Sequence, residues 1–127
     1  MSEKEGSGLD VSERFWRLAD QLVREHRIVI DRPGGSRHPR FPDIVYPFDY
    51  GYLEGTSAID GDGVDCWRGS LADPVVTGVI VTVDVAKADS EVKWLVGCTG
   101  DEMRLALETH RTEWQAAVLL VRGSPRG

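Results

Sequence analysis

The sequence predicts a mainly β protein with peripheral helices, an α+β fold built as a small barrel. Short runs of β-branched residues recur along the chain, and turn residues separate them. Two other stretches carry helix-capping signals and lie outside these runs. Several short strands with helices around them are typical of a small barrel. A length of 127 residues suits one domain with a buried core.

The N-terminal part predicts a disordered segment followed by a helix. Residues 1–9 are polar and rich in Gly and Ser, which favours disorder. A capping box at Asp10 and Glu13 predicts a helix from there to about residue 26. Its apolar residues recur on one helical face; they are Phe15, Leu18, Leu22 and Val23. We expect this helix to pack on the body of the protein or on a partner.

The strands follow from β-branched and aromatic runs bounded by turn residues. In chain order they are predicted at 28–30, as short pieces within 41–52, and at 75–83, 92–96 and 116–121. The connection 53–63 is rich in turn residues, and 86–90 is a charged hairpin loop. The predicted domain therefore spans residues 10–123, and residues 124–127 form a loose tail.

A second helix is predicted between the last two strands. Thr99 and Glu102 have the spacing of a capping box, which predicts a helix from there to about His110. The apolar side chains of this segment are available for packing against the strands.

Composition excludes several classes of function. The formal net charge of −6 argues against general nucleic-acid binding, which needs a basic surface. No apolar run approaches the length of a membrane span, and the polar N-terminus is unlike a signal peptide. Cys66 and Cys98 form neither a disulfide framework nor a zinc spacing, so we expect free thiols. These features predict a cytoplasmic protein without nucleic-acid or membrane partners.

The most informative stretch is the acidic turn at residues 60–65. Asp60, Asp62 and Asp65 repel each other unless a cation neutralises them, and Mg²⁺ prefers carboxylate oxygens. The intervening glycines allow unusual backbone angles. An EF-hand loop is excluded, because Val64 and Leu71 stand at two of its ligand positions. A solvated Asp-Gly turn is the alternative interpretation.

The surrounding motifs resemble a known enzyme family. Residues 46–56, Tyr-Pro-Phe-Asp-Tyr-Gly-Tyr-Leu-Glu-Gly-Thr, precede the acidic turn. Ile28-Val-Ile-Asp-Arg-Pro33 lies upstream, and 78–84 and 91–95 lie downstream. Together these segments resemble the soluble Mg²⁺-dependent inorganic pyrophosphatases, whose fold is an OB-like β-barrel. The resemblance implies Mg²⁺-dependent hydrolysis of pyrophosphate to two phosphates, and a possible homo-oligomer.

The resemblance also implies roles for individual residues. Asp62 would be a metal ligand and the general base for the attacking water. The other metal ligands would be Asp60, Asp65, Asp84, Glu91 and Asp31, with Asp89 competing for the role of Glu91. Substrate phosphate would be bound by Arg40, or alternatively Arg37, together with Tyr50 and Lys93.

The sequence departs from the family pattern on the substrate side. Gly63 stands where the family has Pro, and Pro42 stands near the place of an acid. No Tyr-Lys pair follows Gly97, although Arg111 or Arg122 could substitute. Fewer phosphate ligands predict weaker substrate binding. The alternatives are therefore hydrolysis of another small phosphoanhydride, or a non-catalytic module that binds metal or phosphate.

Overall fold

The computed structural model describes residues 7–58 and 61–123. Within these ranges the chain forms two helices and six strands. The helices are α1 (Ser7–Arg24) and α2 (Gly100–Thr109). The strands are β1 (Ile28–Arg32), β2 (Tyr50–Leu53), β3 (Val64–Arg68), β4 (Val76–Asp84), β5 (Asp89–Val96) and β6 (Gln115–Val121). The predicted mainly β fold with peripheral helices is confirmed.

The strands form one sheet in the order β1-β2-β3-β5-β4-β6. All neighbours are antiparallel except β3 and β5, which pair in parallel. Asp31 beside one edge and Gln115 at the other line the same cleft, so the sheet curves around it. Among the described strands, β1 and β6 remain the two edges, and the barrel is not closed by pairing between them.

Both faces of the sheet are covered by apolar side chains, because successive residues of a strand point to opposite faces. On one face Trp16, Ala19 and Val23 of α1 pack on alternate strand residues. Those residues are Leu53, Cys66, Val76, Val79 and Val96. On the other face Met103 and Ala106 of α2 pack on Tyr50, Trp67, Ile80, Leu95 and Ala117. The second face also carries the candidate site.

Helix α1 is anchored by a buried carboxylate. Asp20 Oδ1 accepts the backbone N–H of Val76 at 2.9 Å, and Arg122 donates to both carboxylate oxygens at 2.8 and 2.9 Å. Arg122 therefore lies away from the cleft, so it does not replace a missing phosphate ligand. Arg111 does not line the cleft either, since it pairs with Glu108 on the surface.

Several predicted boundaries need correction. Helix α1 begins at Ser7, so residues 7–9 are helical and Asp10 lies inside the helix rather than at its N-cap. Residues 1–6 and the predicted tail lie outside the described residues. The capping box of α2 is confirmed, with Thr99 as N-cap and Glu102 bonding back to it. Neither described helix is long and apolar enough to cross a bilayer.

Strand β3 was not predicted, because its first two residues belong to the acidic turn. It forms because it pairs with β2 on one side and with β5 on the other. The neighbouring β2 needs glycine at position 51. A Cβ there would lie 1.7 Å from the carbonyl oxygen of Val29, so only Gly permits this approach of β1 to β2.

Candidate active site

A cleft of about 1070 Å³ opens on the face of the sheet that α2 partly covers. Alternation along the strands places its polar side chains on this face. Apart from the two alternatives Arg37 and Asp89, every predicted site residue that the structure describes lines the cleft: Asp31, Arg40, Tyr50, Asp62, Asp65, Asp84, Glu91 and Lys93. Asp60 lies outside the described residues. The cysteines are buried instead, and burial raises the pKa of each thiol to about 12.

Lys93 lies at the centre of the polar network. Its ammonium donates to Asp65 Oδ2 at 2.8 Å and to Glu91 Oε1, and its side chain is only 8% exposed. Burial alone would lower the pKa of Lys93, but the carboxylates of Asp65 and Glu91 beside it raise the pKa above its usual value. The lysine is therefore a fixed cation that holds two carboxylates on neighbouring strands.

Tyr50 completes this network. Its hydroxyl donates to Asp65 Oδ2 at 2.8 Å, and burial raises its pKa above the usual value. A tyrosine hydroxyl has one proton to donate. In this structure that proton is committed to Asp65, whereas the resemblance implied donation to substrate phosphate.

Asp84 ends a directed chain of hydrogen bonds. The indole N–H of Trp67 can only donate, and it donates to His110 Nε2 at 3.1 Å. The other ring nitrogen, Nδ1, therefore carries the proton and donates to Gln115 Oε1 at 3.3 Å. The Gln115 amide then donates to Asp84 Oδ2 at 3.3 Å. This chain presents Asp84 to the cleft as a hydrogen-bond acceptor.

Burial keeps His110 neutral. Burial, together with the charge of Lys93, lowers the pKa of His110 from 6.5 to about 4. The other oxygen of Asp84, Oδ1, accepts the N–H of Lys87 at 2.9 Å, which fixes the β4–β5 turn. The aspartate is thus held from two sides.

The acidic turn brings Asp62 to the cleft on a backbone that needs glycine. Gly61 has a φ of +89°, which side chains rarely tolerate. A Cβ at Gly63 would lie 2.8 Å from Tyr52 Cδ2 and 3.0 Å from the oxygen of Leu53. The departure from Pro at this position therefore has a packing reason, because Tyr52 and Leu53 occupy the space.

Two arginines, Arg32 and Arg40, also line the cleft. Arg40 is exposed and lies beside the ring of Phe41, while Arg37 does not line the cleft and donates to Pro42 O at 2.8 Å. Arg32 donates to the Tyr46 hydroxyl at 2.7 Å. His38 Nδ1 accepts the N–H of Arg40 at 3.1 Å, and burial with the nearby arginines lowers the pKa of His38.

Sequence reasoning missed some of these residues. Arg32, Lys87, His110 and Gln115 all line the cleft. Arg32 directly follows Asp31 in the first-strand motif, so its position was a usable signal. Lys87 lies in the predicted hairpin loop beside Asp84. His110 and Gln115 belong to the connection after α2, where no local pattern indicates a site.

The cleft supplies the oxygen ligands that Mg²⁺ prefers. Carboxylates line it from β1, the acidic turn, β3, β4 and β5; they are Asp31, Asp62, Asp65, Asp84 and Glu91. Within the described ranges, however, no three Asp, Glu, His or Cys side chains converge as a metal site. Asp89 does not line the cleft and pairs with Lys87 at 3.7 Å, whereas Glu91 faces it.

Comparison with solved structures shows which known proteins share this fold. An inorganic pyrophosphatase from Helicobacter pylori aligns with a TM-score of 0.55 at 17% identity, over 76% of this chain and 84% of that one. An inorganic pyrophosphatase from Coxiella burnetii aligns with a TM-score of 0.52 at 15% identity, over 75% and 84%. One from Neisseria gonorrhoeae gives 0.52 at 16%, over 75% and 81%. The fold is that of the inorganic pyrophosphatases.

At 15–17% identity, this likeness concerns the pyrophosphatase fold alone. No family model and no curated protein sequence matches this chain. The activity must therefore be argued from the residues of the cleft.

Proposed function

We propose that this protein hydrolyses inorganic pyrophosphate to two phosphates with Mg²⁺ as cofactor. The observation that carries the proposal is the composition of the cleft. Carboxylates from the acidic turn and from four strands share it with Arg32, Arg40 and Lys93. Phosphoryl transfer needs such an arrangement, because catalysis depends on neutralising and positioning anionic groups.

The carboxylates that line the cleft would hold the metal, together with Asp60. Bound Mg²⁺ neutralises phosphate oxygens and lowers the pKa of a water molecule. The proposal requires that Asp65 and Glu91 share their charge between the metal and Lys93. Their strands already hold both acids on the cleft face.

The remaining roles fall to other groups that line the cleft. Arg40 is exposed and binds phosphate oxygens, and Arg32 reaches the same space from β1. Lys93 donates to Asp65 and Glu91, and its positive charge on the wall of the cleft would attract a phosphate oxygen. Asp62, on its exposed glycine-flanked turn, accepts the proton of the attacking water.

The direct test is phosphate release from pyrophosphate with and without Mg²⁺. We expect Mg²⁺-dependent release by the wild type and a loss of about 100-fold or more in Asp62→Asn, since a general base typically contributes 10²–10⁴-fold. Asp73→Asn is the matched control, because Asp73 is exposed and does not line the cleft. Near-normal turnover by Asp62→Asn would show that another group takes the proton.

Absence of release from a folded wild-type protein would contradict hydrolysis of pyrophosphate. Mg²⁺-dependent stabilisation without release would then favour a module that binds metal or phosphate.

A second candidate is hydrolysis of a larger phosphoanhydride. The cleft volume of about 1070 Å³ favours it, because pockets of about 300–1,000 Å³ bind drug-sized ligands. Pyrophosphate is much smaller than such ligands. A panel of nucleoside di- and triphosphates, assayed beside pyrophosphate at equal Mg²⁺, separates the two. A higher kcat/KM for pyrophosphate than for every nucleotide eliminates the second candidate.

A further inference from the structure

Strand β6 is an edge of the sheet that lacks the usual protection. Within the described part of the chain it pairs with β4 alone. Its sequence, Gln115-Ala-Ala-Val-Leu-Leu-Val121, contains no charged residue and no proline. Natural edge strands commonly carry charges, prolines or bulges that block pairing with another chain. As far as residues 7–58 and 61–123 show, the edge of β6 is therefore open to a further strand.

An exposed apolar surface continues from β6 across the sheet. In antiparallel pairs, side chains directly opposite each other share a face. Val118 lies opposite Val81, Val81 lies opposite Val92, and Leu120 lies opposite Val79. Val79 packs under α1, so these side chains belong to the α1 face. Helix α1 covers only part of that face.

Five large side chains on and beside this uncovered surface are 44–61% exposed; they are Phe15, Val83, Val92, Val118 and Leu120. Phe15 joins the surface by stacking on Trp94 of β5, with ring centroids 5.6 Å apart. A contiguous apolar surface of this extent typically marks an interaction site.

The backbone of β6 shows which groups are available at its edge. The N–H of Arg122 donates to Thr77 O on the β4 side at 2.9 Å. Backbone groups point alternately to the two sides of a strand. Those of Val118 and Leu120 therefore face β4, while those of Ala117, Leu119 and Val121 face the open edge.

We propose that β6 pairs antiparallel with β6 of a second copy of this chain, around a two-fold axis at Leu119. Leu119 then exchanges both backbone hydrogen bonds with the partner's Leu119, and Ala117 pairs with the partner's Val121. On the apolar face Val118 lies against the partner's Leu120. The two sheets become one, and the exposed surfaces of both copies become continuous.

A second copy suits this edge because the edge is self-complementary. A two-fold axis brings the same patch of both subunits together, and the pairing at Leu119 places apolar side chains opposite apolar ones. The strand carries no charge that would repel its own copy. One strand pairing with its flanking side chains buries less than the ~800 Å² per subunit of a standard interface, so we expect a weak dimer that dissociates on dilution.

The first test is sedimentation equilibrium of the full chain from about 1 to 300 μM. We expect a monomer–dimer equilibrium that Val118→Lys and Leu120→Lys each weaken at least 10-fold. Leu105→Lys is the matched control, since Leu105 is similarly exposed but lies on α2. A wild type that stays monomeric throughout overturns the proposal. So does a dimer that the β6 variants leave intact.

Amide hydrogen exchange on the wild type keeps the proposal testable if a β6 variant fails to fold. The amides of Ala117, Leu119 and Val121 should exchange several-fold more slowly at 300 μM than at 1 μM. The amides of Val118 and Leu120 bond to β4 and should be protected equally at both concentrations. Exchange that is independent of concentration at all five amides overturns the proposal. This test does not depend on catalytic activity.

Discussion

At the residue scale, Lys93 occupies an environment that few lysines occupy in folded proteins. Its side chain is almost fully buried, yet Asp65 and Glu91 on two strands accept hydrogen bonds from its ammonium group. A buried cation is tolerated when opposite charges and hydrogen bonds compensate for its lost hydration. The lysine in turn keeps the two carboxylates from repelling each other.

We expect Lys93→Met to lower the free energy of unfolding by about 2–3 kcal/mol, because it leaves Asp65 and Glu91 without their counter-charge. The estimate is below that for a fully buried pair, since Asp65 and Glu91 are partly exposed to solvent. Urea denaturation measures it. Lys87→Met is the control, because Lys87 is mostly exposed and should change stability by less than about 0.5 kcal/mol. Equal effects of the two variants would contradict this role.

His110 predicts a specific pH dependence. Its pKa is about 4 in the folded protein against 6.5 when unperturbed, so between these values the unfolded chain binds a proton that the folded protein does not. Above pH 6.5 the ring is neutral in both states, so the folded protein has its full stability with respect to this group. Stability therefore falls as the pH decreases toward 4, by about 3 kcal/mol.

Unfolding free energies of the wild type and His110→Gln from pH 7 to 4 test this. Glutamine can accept from Trp67 and donate to Gln115 but does not titrate. We expect the variant to lose most of the decline between pH 6.5 and 4. An unchanged slope would show that carboxylates alone cause the acid sensitivity.

At the scale of secondary-structure elements, α2 connects the core to the site. Thr99 caps its first turn, Met103 and Ala106 bury its inner face, and His110 follows its last residue. Glu102 also accepts the N–H of Ser70, which ties the helix to the end of β3. The position of the hydrogen-bonded residues His110 and Gln115 therefore depends on the contacts that hold the first turn of α2 in place.

Replacing Thr99 by Ala should lower the free energy of unfolding by about 1 kcal/mol, since an N-cap hydroxyl satisfies an otherwise unpaired N–H. Thermal denaturation followed by circular dichroism measures it. Thr109→Ala at the other end of α2 is the control. The Thr109 hydroxyl donates only to Leu105 O within the helix, a bond that adds little stability. A Thr109 effect as large as that of Thr99 would argue against the capping role.

At the scale of the whole molecule, acidic charge dominates. The formal net charge is −6, and carboxylates from the acidic turn and four strands face one cleft. Their mutual repulsion opposes folding, because folding brings them together from distant parts of the chain. A divalent cation bound there would relieve that repulsion.

We expect Mg²⁺ to raise the melting temperature by roughly 10 °C at 100 times its dissociation constant, since binding to the folded state alone contributes about 2.7 kcal/mol. Differential scanning calorimetry at constant ionic strength separates this from screening. Asp65→Asn should reduce the shift, and Asp101→Asn, on the exposed side of α2, should not. An equal shift with NaCl alone would exclude a specific site.

Much of the fold and of the site could be predicted because the signals are local. The β-branched runs mark β1, β4 and β6, the Thr99 capping box marks α2, and strand alternation brings the motif residues to one cleft. Strand β3 and the start of β5 were not predicted, since pairing with distant strands decides where they form. The start of α1 at Ser7 was not predicted because the polar composition of that segment favours disorder.

The sequence by itself determined which chemical groups this protein has and on which strands and turns they lie. Tertiary structure alone decided their partners. It placed Lys93 between two acids, joined Asp20 to Arg122 across 102 residues, and filled the space beside Gly63 with Tyr52. The physical reason is that alternation and capping act over a few residues. Ion pairs and steric contacts depend instead on how distant strands are packed together.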